Sequence, residues 1–283
     1  MKTFCLSCLA LIALSACTTP EIGVKVQPYE EENIQVSISF SPYTMAPMTR
    51  SNVAISTLSN LLDVFIIDGD EVMDFHQVKA DNADAFGTIT TSLNKTKTYT
   101  IYAVAHKGNG AATLDDGVLT FPDNKITDTF FYSGTFSPAT STSVSCVMHR
   151  IVGMFKLTFT DALPDNLAKV RFSITGSGLA YNVNGTTTSP GEKISVINNP
   201  SSANDGSTTF KVYCLADDDI STIDVTVTAM DANDAVIETK TFEDVPLQAG
   251  YTTAYRGTFF VTTETTVGFT APDSWESFDE EEF

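Results

Sequence analysis

Basic side chains are scarce in this sequence: 283 residues hold 16 lysines and arginines against 35 aspartates and glutamates, a formal net charge of −19. A surface of that sign excludes electrostatic docking on nucleic acid or on anionic lipid headgroups. Histidine is scarcer still, and His76, His106 and His149 follow no metal-ligand spacing. There is no G-x-S-x-G elbow to activate one of the many serines. Gly108-Asn109-Gly110 follows a strand pattern but lacks the helix that a phosphate-binding turn requires. "DGDEVMD" and "ADDDIS" are acidic turns without the spacing of a calcium loop. No catalytic constellation, metal site or cofactor site is therefore expected. The one enzymatic design that such a reading misses is a carboxylate pair borne on a β-sandwich.

Long apolar runs are missing too, except at the start. "MKTFCLSCLALIALSAC" places Lys2 before an apolar run of about a dozen residues, long enough for a signal-peptide core and too short to span a bilayer. It closes on Leu14-Ser15-Ala16-Cys17, which looks like a bacterial lipobox, with small residues for the peptidase and a thiol at Cys17 to take lipid. Residues 1–16 read as a lipoprotein signal peptide, and the lipid on Cys17 would anchor the protein to the outer membrane. Of the five cysteines, Cys5 and Cys8 leave with that signal. Cys146 and Cys214 remain, each on the apolar side of a strand pattern. Two buried free thiols are expected first, and a bridge, which export would allow, second.

Helical periodicity is confined to short turns near "VAISTLSNLL" and "LPDNLA". What is present is period 2. Ile34, Val36, Ile38 and Phe40 alternate with polar residues, as do Leu62/Val64/Ile66, Tyr99/Ile101/Ala103/Ala105, Phe155/Leu157/Phe159, Val170/Phe172/Ile174 and Ile223/Val225/Val227. Turn residues punctuate these runs at intervals typical of sandwiches. One sandwich takes about 100 residues, so the chain holds two in tandem, dividing near residues 147–153. No internal repeat is visible. The segments read as 17–50, a lipidated stretch with a first strand; 51–147 and 148–257, the two sandwiches; and 258–283, a last strand pattern and an acidic tail, "DSWESFDEEEF".

The first strand pattern stands apart. It leads into a tether containing Pro42 and Pro47 and ending at Arg50-Ser51, the first arginine of the chain. Proline keeps such a stretch extended and unpaired.

The layout resembles that of the Bacteroidales fimbrillins, the type V pilus subunits of the FimA/Mfa-like superfamily. The resemblance is carried by the lipobox followed by a strand and an Arg, by "LLDVFIIDGDEV", "LNKTKTYTIYAVAHKGNG", "FYSGTFSP", "MHRIVGMFKLTFTD" and "VPLQAGYTTAYRGTFF". It departs at Lys95, where glycine is usual, and at His106, where asparagine is. The resemblance implies an all-β protein, two tandem transthyretin-like/Greek-key β-sandwich domains after a lipoprotein signal peptide. It also implies assembly by strand exchange. A protease cuts between Arg50 and Ser51, the strand bearing Ile34, Val36, Ile38 and Phe40 leaves, and a neighbour's C-terminal strand enters. Residues 258–270, with Phe259, Val261, Val267 and Phe269, are the candidate donor. Expected partners are other fimbrial subunits and a surface ligand of unknown kind, and the expected location is the outer membrane or fimbrium. Two further readings stay open: a lipid-retaining anchor or tip subunit, and a non-polymerising surface lipoprotein that binds a glycan or host ligand.

Overall fold

A computed structural model describes residues 32–43, 53–203, 206–260, 266–267 and 276–277. It is almost wholly β. In chain order, β1 (Asn33–Pro42) precedes a single-turn helix α1 (Ile55–Leu58), then β2 (Leu61–Asp68), β3 (Glu71–Val78), β4 (Thr88–Asn94) and β5 (Tyr99–His106). β6 (Thr113–Asp115), β7 (Val118–Thr120), β8 (Phe130–Phe136) and β9 (Ser143–Arg150) follow. After the single residue Ile151 come β10 (Val152–Phe159), β11 (Lys169–Thr175), β12 (Gly178–Asn182), β13 (Thr186–Pro190) and β14 (Lys193–Asn198). The chain continues through β15 (Thr208–Leu215), β16 (Ser221–Met230), β17 (Val236–Leu247) and β18 (Tyr251–Gly257), with two-residue strands β19 (Thr266–Val267) and β20 (Glu276–Ser277) beyond.

Local chemistry accounts for the turns. Gly69, at φ +62°, closes the two-residue β2–β3 hairpin in a conformation that a β-branched residue resists. Asp231 caps the β16–β17 turn, its Oδ1 accepting from the amides of Asn233 and Ala235.

The strand order reveals a repeat that the sequence hides. In the first half, β3-β2-β5-β8 form one layer and β9-β1-β4 the other. In the second half, β14-β11-β16-β17 and β18-β10-β15 repeat the same order. The directions match as well: the first strand of each half runs parallel to its last, β1 with β9 and β10 with β18, and antiparallel to β4 and β15 respectively. Each half encloses its own core, one around Ile38, Leu62, Ile101 and Phe130, the other around Phe155, Phe172, Val225 and Phe259.

Each half also carries one inserted hairpin, and the two insertions pair with each other. β7 joins β12 through Leu119↔Tyr181 and Val118↔Asn182. A third core, including Phe65, Leu119, Phe131, Ile151 and Tyr181, fills the junction. Three corrections to the segment boundaries follow. The first sandwich begins at β1 rather than at residue 51, because β1 fills its sheet. The change of sandwich comes at Ile151, since Val147 and Met148 still lie in β9. Residues 113–120 extend the sheet of the second sandwich through β12. Short strands with polar flanks carry no sequence mark of which sheet they join.

Candidate functional site

β1 lies between two strands. Seven of its residues pair with β4, from Asn33↔Asn94 to Ser39↔Thr88, and six with β9, from Ser37↔Ser143 to Pro42↔Met148. Val36 and Ile38 are fully buried and Phe40 nearly so, while Ile34 packs half-buried at the edge of the core. Each fully buried apolar side chain of this size contributes about 1.5–3 kcal/mol. The end of the strand is fastened by the Tyr43 amide, which donates to Met148 O at 2.7 Å, and by the Tyr43 ring stacked on His149 at 4.8 Å. The Phe40 amide donates to Gly87 O at 2.9 Å. Gly87 has φ +94°, and a Cβ there would come within 2.8 Å of Ile55, the buried residue of α1. Without β1, the inward edges of β4 and β9 would lose their partners and the pockets of Val36, Ile38 and Phe40 would open. Only another extended chain satisfies both losses together.

Of the other residues singled out from sequence, Cys17, Arg50, Ser51, Val261 and Phe269 lie outside the described residues. Val267 sits in β19, opposite Tyr255 on the outer edge of β18. β20 joins the same strand, with Glu276 opposite Tyr251. Phe259 requires a correction. It is 2% exposed, stacks on Phe159 at 4.3 Å, and belongs to the core of its own sandwich. The Asp161 carboxylate fixes the backbone there, accepting from the amides of Phe259 at 2.9 and 3.1 Å and of Phe260 at 2.6 Å. A segment so held is structural, and any exchangeable tail begins after Phe260.

A buried carboxylate was missed. Asp63, 1% exposed on β2, accepts from His76 Nδ1 at 2.5 Å, His106 Nε2 at 3.1 Å and the Ala112 amide at 2.9 Å. His106 Nδ1 accepts the Gly108 amide at 3.0 Å, so the ring proton sits on Nε2, facing Asp63. Two of the three histidines thus serve one acid, and the cluster holds the turn that leads into the β6–β7 hairpin. The available signal was the acid itself, in the middle of the apolar run "LLDVFIID".

Two further polar clusters sit in the cores. Burial pushes the Cys146 thiol up to about 11, and the Tyr132 hydroxyl bonded to it to about 12. In the second sandwich Lys193 points inward from β14 and donates to Tyr213 O, while Ile194 and Val196 face solvent. Burial lowers the Lys193 pKa and raises that of the neighbouring Cys214. Both cysteines are free and buried. Among the described residues no cluster of three or more His, Cys, Asp or Glu is placed to hold a metal ion, and no helix is long and apolar enough to cross a membrane.

Residues 111–282 match a family profile described as a family of unknown function, DUF6562. That match opens beside β6, where the chain first joins the second sandwich's sheet. No curated relative matches in sequence. Among solved structures, a candidate adhesin from Bacteroides thetaiotaomicron superposes with a TM-score of 0.54 at 10% identity, over 87% of this chain and 97% of that one. A candidate polysaccharide-binding protein (DUF1812) from the same species gives 0.53 at 10% identity, over 87% and 98%. The fimbrial anchor protein Mfa2 from Porphyromonas gingivalis gives 0.45 at 13% identity, over 88% and 100%. At such identities the first two likenesses are of fold alone. That shared fold is consistent with the fimbrillin-like resemblance.

Proposed function

The chain belongs to DUF6562, a family of unknown function, and we propose that it is a cell-surface fimbrial subunit whose strand β1 is exchanged for a strand from a neighbour. The observation that carries this reading is the setting of β1. It pairs with β4 through seven residues and with β9 through six, buries one face only, and is followed in sequence by a Pro/Met/Thr stretch that ends at Arg50. The lipobox at Cys17 and the fold shared with a candidate adhesin agree with export to the surface. In this account Cys17 takes lipid, cleavage after Arg50 frees β1, and the incoming tail offers Val261, Val267 and Phe269. The role is structural and supports adhesion; catalysis has no part in it.

The tether should be the first point of tryptic attack on the folded, unlipidated protein. Arg150 is held by Asp128 at 2.8 and 3.2 Å and lies over Phe130, while Arg171 and Arg256 lie within β11 and β18. Paired backbone of that kind opens slowly. Uncut protein stays monomeric, because the tethered β1 outcompetes any free tail by its effective concentration. After the cut, sizing chromatography should show assembly, and deletion of residues 262–283 should abolish it while sparing Phe259. Cut, full-length protein that remains monomeric, alone and with the pilus subunits of its own bacterium, defeats the exchange reading.

A second reading has its own support. The Tyr43 clamp and the double ladder hold β1 firmly, as a lipid-retaining anchor subunit would require. Isolation from the cell surface with a lipidated Cys17 at the N-terminus would select that role over one starting at Ser51.

A further inference from the structure

The sheet β14-β11-β16-β17 ends at an edge that lacks the usual defences. Among the described residues β14 pairs on one side only, with β11, so its other side presents unpaired backbone groups. Edge strands ordinarily deter a second chain with outward charges, prolines or bulges. β17, at the opposite edge, has two register irregularities and carries Glu238, Lys240 and Pro246. β3, which holds the place of β14 in the first sandwich, exposes Asp74 and His76. β14 instead turns out Ile194 and Val196, 50% and 45% exposed. Its one charge, Lys193, faces inward. That lysine is already buried and bonded to Tyr213 O, so an added strand would take little further water from it.

The strand is complementary to a second copy of itself. Antiparallel self-pairing keeps outward residues opposite outward ones when it is centred on Ile194, Ser195 or Val196. Centred on Ser195, it sets Ile194 opposite Val196 of the second copy, and Val196 opposite that copy's Ile194. Centring on Ile194 would put Glu192 against Val196, and centring on Val196 would put Asn198 against Ile194. Only the middle register gives both apolar side chains apolar partners.

The same register joins opposite charges. It places Glu192 of one copy opposite Asn198 of the other, whose partner on β11 is Lys169, with Arg171 two residues along. With strands about 4.8 Å apart, Glu192 lies roughly 10–12 Å in Cα distance from both cations, within the joint reach of such long side chains. Lys169 already holds Asp234 at 2.5 Å. Arg171 lies on the same face as Ile194 and Val196, and its Nε has no hydrogen-bond partner among the described residues. Glu192 gives Oε1 to its own Ser173 hydroxyl and keeps Oε2 to offer. We propose that β14 is a self-association edge: two copies pair antiparallel about Ser195, with Glu192 of each on Arg171 of the other. A two-fold pairing of this kind closes on itself. So short a ladder covers well under the roughly 800 Å² per partner of a stable complex. A net charge of −19 on each copy also opposes it. The pair is therefore weak, absent at the micromolar concentrations of sizing and formed where copies are crowded. It leaves β1 in its slot and is tested on uncut protein, so its failure is separable from failure of strand exchange.

Uncut Ile194→Cys and Val196→Cys chains, mixed at near-millimolar concentration under mild oxidation, should form a disulfide-linked heterodimer. The native Cys146 and Cys214 are buried and stay out of the reaction. Neither variant alone should link, because its cysteines would lie about 8 Å apart between Cα atoms, beyond the roughly 7 Å that a disulfide spans. In the parent protein, dilution should shift the amides of residues 194–198 and leave those of β17 in place. Arg171→Glu and Glu192→Arg should each raise the concentration needed about fivefold, since like charges then meet twice. The double charge swap should restore it. The pairing is overturned if the mixture links no better than either chain alone, or if the double swap behaves like the single variants. It is also overturned if a peptide of residues 273–283 shifts these amides while dilution does not, which would give the face to an acidic tail.

Discussion

In the second sandwich, β10 is buried at seven of its eight residues and follows β9 after one residue. Its counterpart in the first sandwich, β1, buries Val36, Ile38, Phe40 and Pro42 and leaves the alternate residues partly exposed or exposed. Both run between a parallel last strand and an antiparallel partner. The same place in the same topology is thus filled once by a strand that follows its neighbour after one residue and once by the first described strand of the chain, twelve residues before α1. The junction core explains much of the difference: Val152 packs into it, so β10 serves two cores where β1 serves one.

Charge placed in each strand should separate the two cases most sharply. An aspartate at a fully buried apolar position costs several kcal/mol, a large part of the roughly 5–15 kcal/mol that holds a domain together. Phe155→Asp should leave no folded protein. Ile38→Asp should expel β1 and expose β4 and β9, while β10 and β16 keep their amide protection in hydrogen-exchange mass spectrometry. If the two variants lose protection in the same peptides, β1 is as integral as β10 and the contrast disappears.

The Asp63 cluster has no counterpart in the second sandwich, where β11 presents only Val170, Phe172 and Ile174 at its buried positions. Asp63→Ala would strand the buried His106 imidazole and the Ala112 amide, while His76, 36% exposed, can turn to water; removing one partner of a buried polar cluster costs about 3–5 kcal/mol. Urea unfolding should show that loss. The first amides to lose protection should be those around Leu119, because the turn that delivers β6 and β7 is tied to Asp63. A loss below about 1 kcal/mol would mean that water replaces the carboxylate at little cost.

How much of this was legible follows from whether a signal is local. The alternation of Ile34, Val36, Ile38 and Phe40 is local, and the strand and its inward face could be read directly. The topological repeat could not, since strand order is set by pairings far apart in sequence while the residues at matching positions differ. β14 misleads in another way: its alternation is plain, but Lys193 faces in while Ile194 and Val196 face out. Hydrophobicity alone would assign the opposite faces. His76 and His106 looked scattered because β3 and β5 meet only through β2. Phe259 read as part of a free tail because its alternation continues that of β18, and nothing local announces that Asp161 fastens it.

The smallest expected effect concerns the two thiol clusters, where Lys193 and Cys146 should act with opposite sign. In the first, Cys146 is raised from 9.0 to about 11 by burial, and Tyr132 from 10.0 to about 12. Their contribution is whole below the unfolded values. It is lost as pH climbs from about 9 toward 11 and 12, because the unfolded chain gives up these protons first. In the second, Cys214 is raised in the same way, but Lys193 is lowered from 10.5 by burial. The unfolded chain holds that lysine's proton more tightly, so the penalty for a protonated Lys193 is present at neutral pH and fades as pH approaches 10.5. Lys193 therefore opposes the alkaline loss, and Cys146 adds to it. Under reducing conditions, Cys146→Ala should flatten the fall of the urea midpoint between pH 9 and 11. Lys193→Met should steepen the fall as pH approaches 10.5 from below, since the relief it brings is largest where the lysine would be charged. Each slope is bounded by about 1.4 kcal/mol per pH unit for one group. The constant cost of leaving Tyr213 O without its donor shifts the whole Lys193→Met curve and not its slope. Parallel curves for Lys193→Met and the parent protein would mean that Lys193 reaches solvent and keeps its ordinary proton affinity.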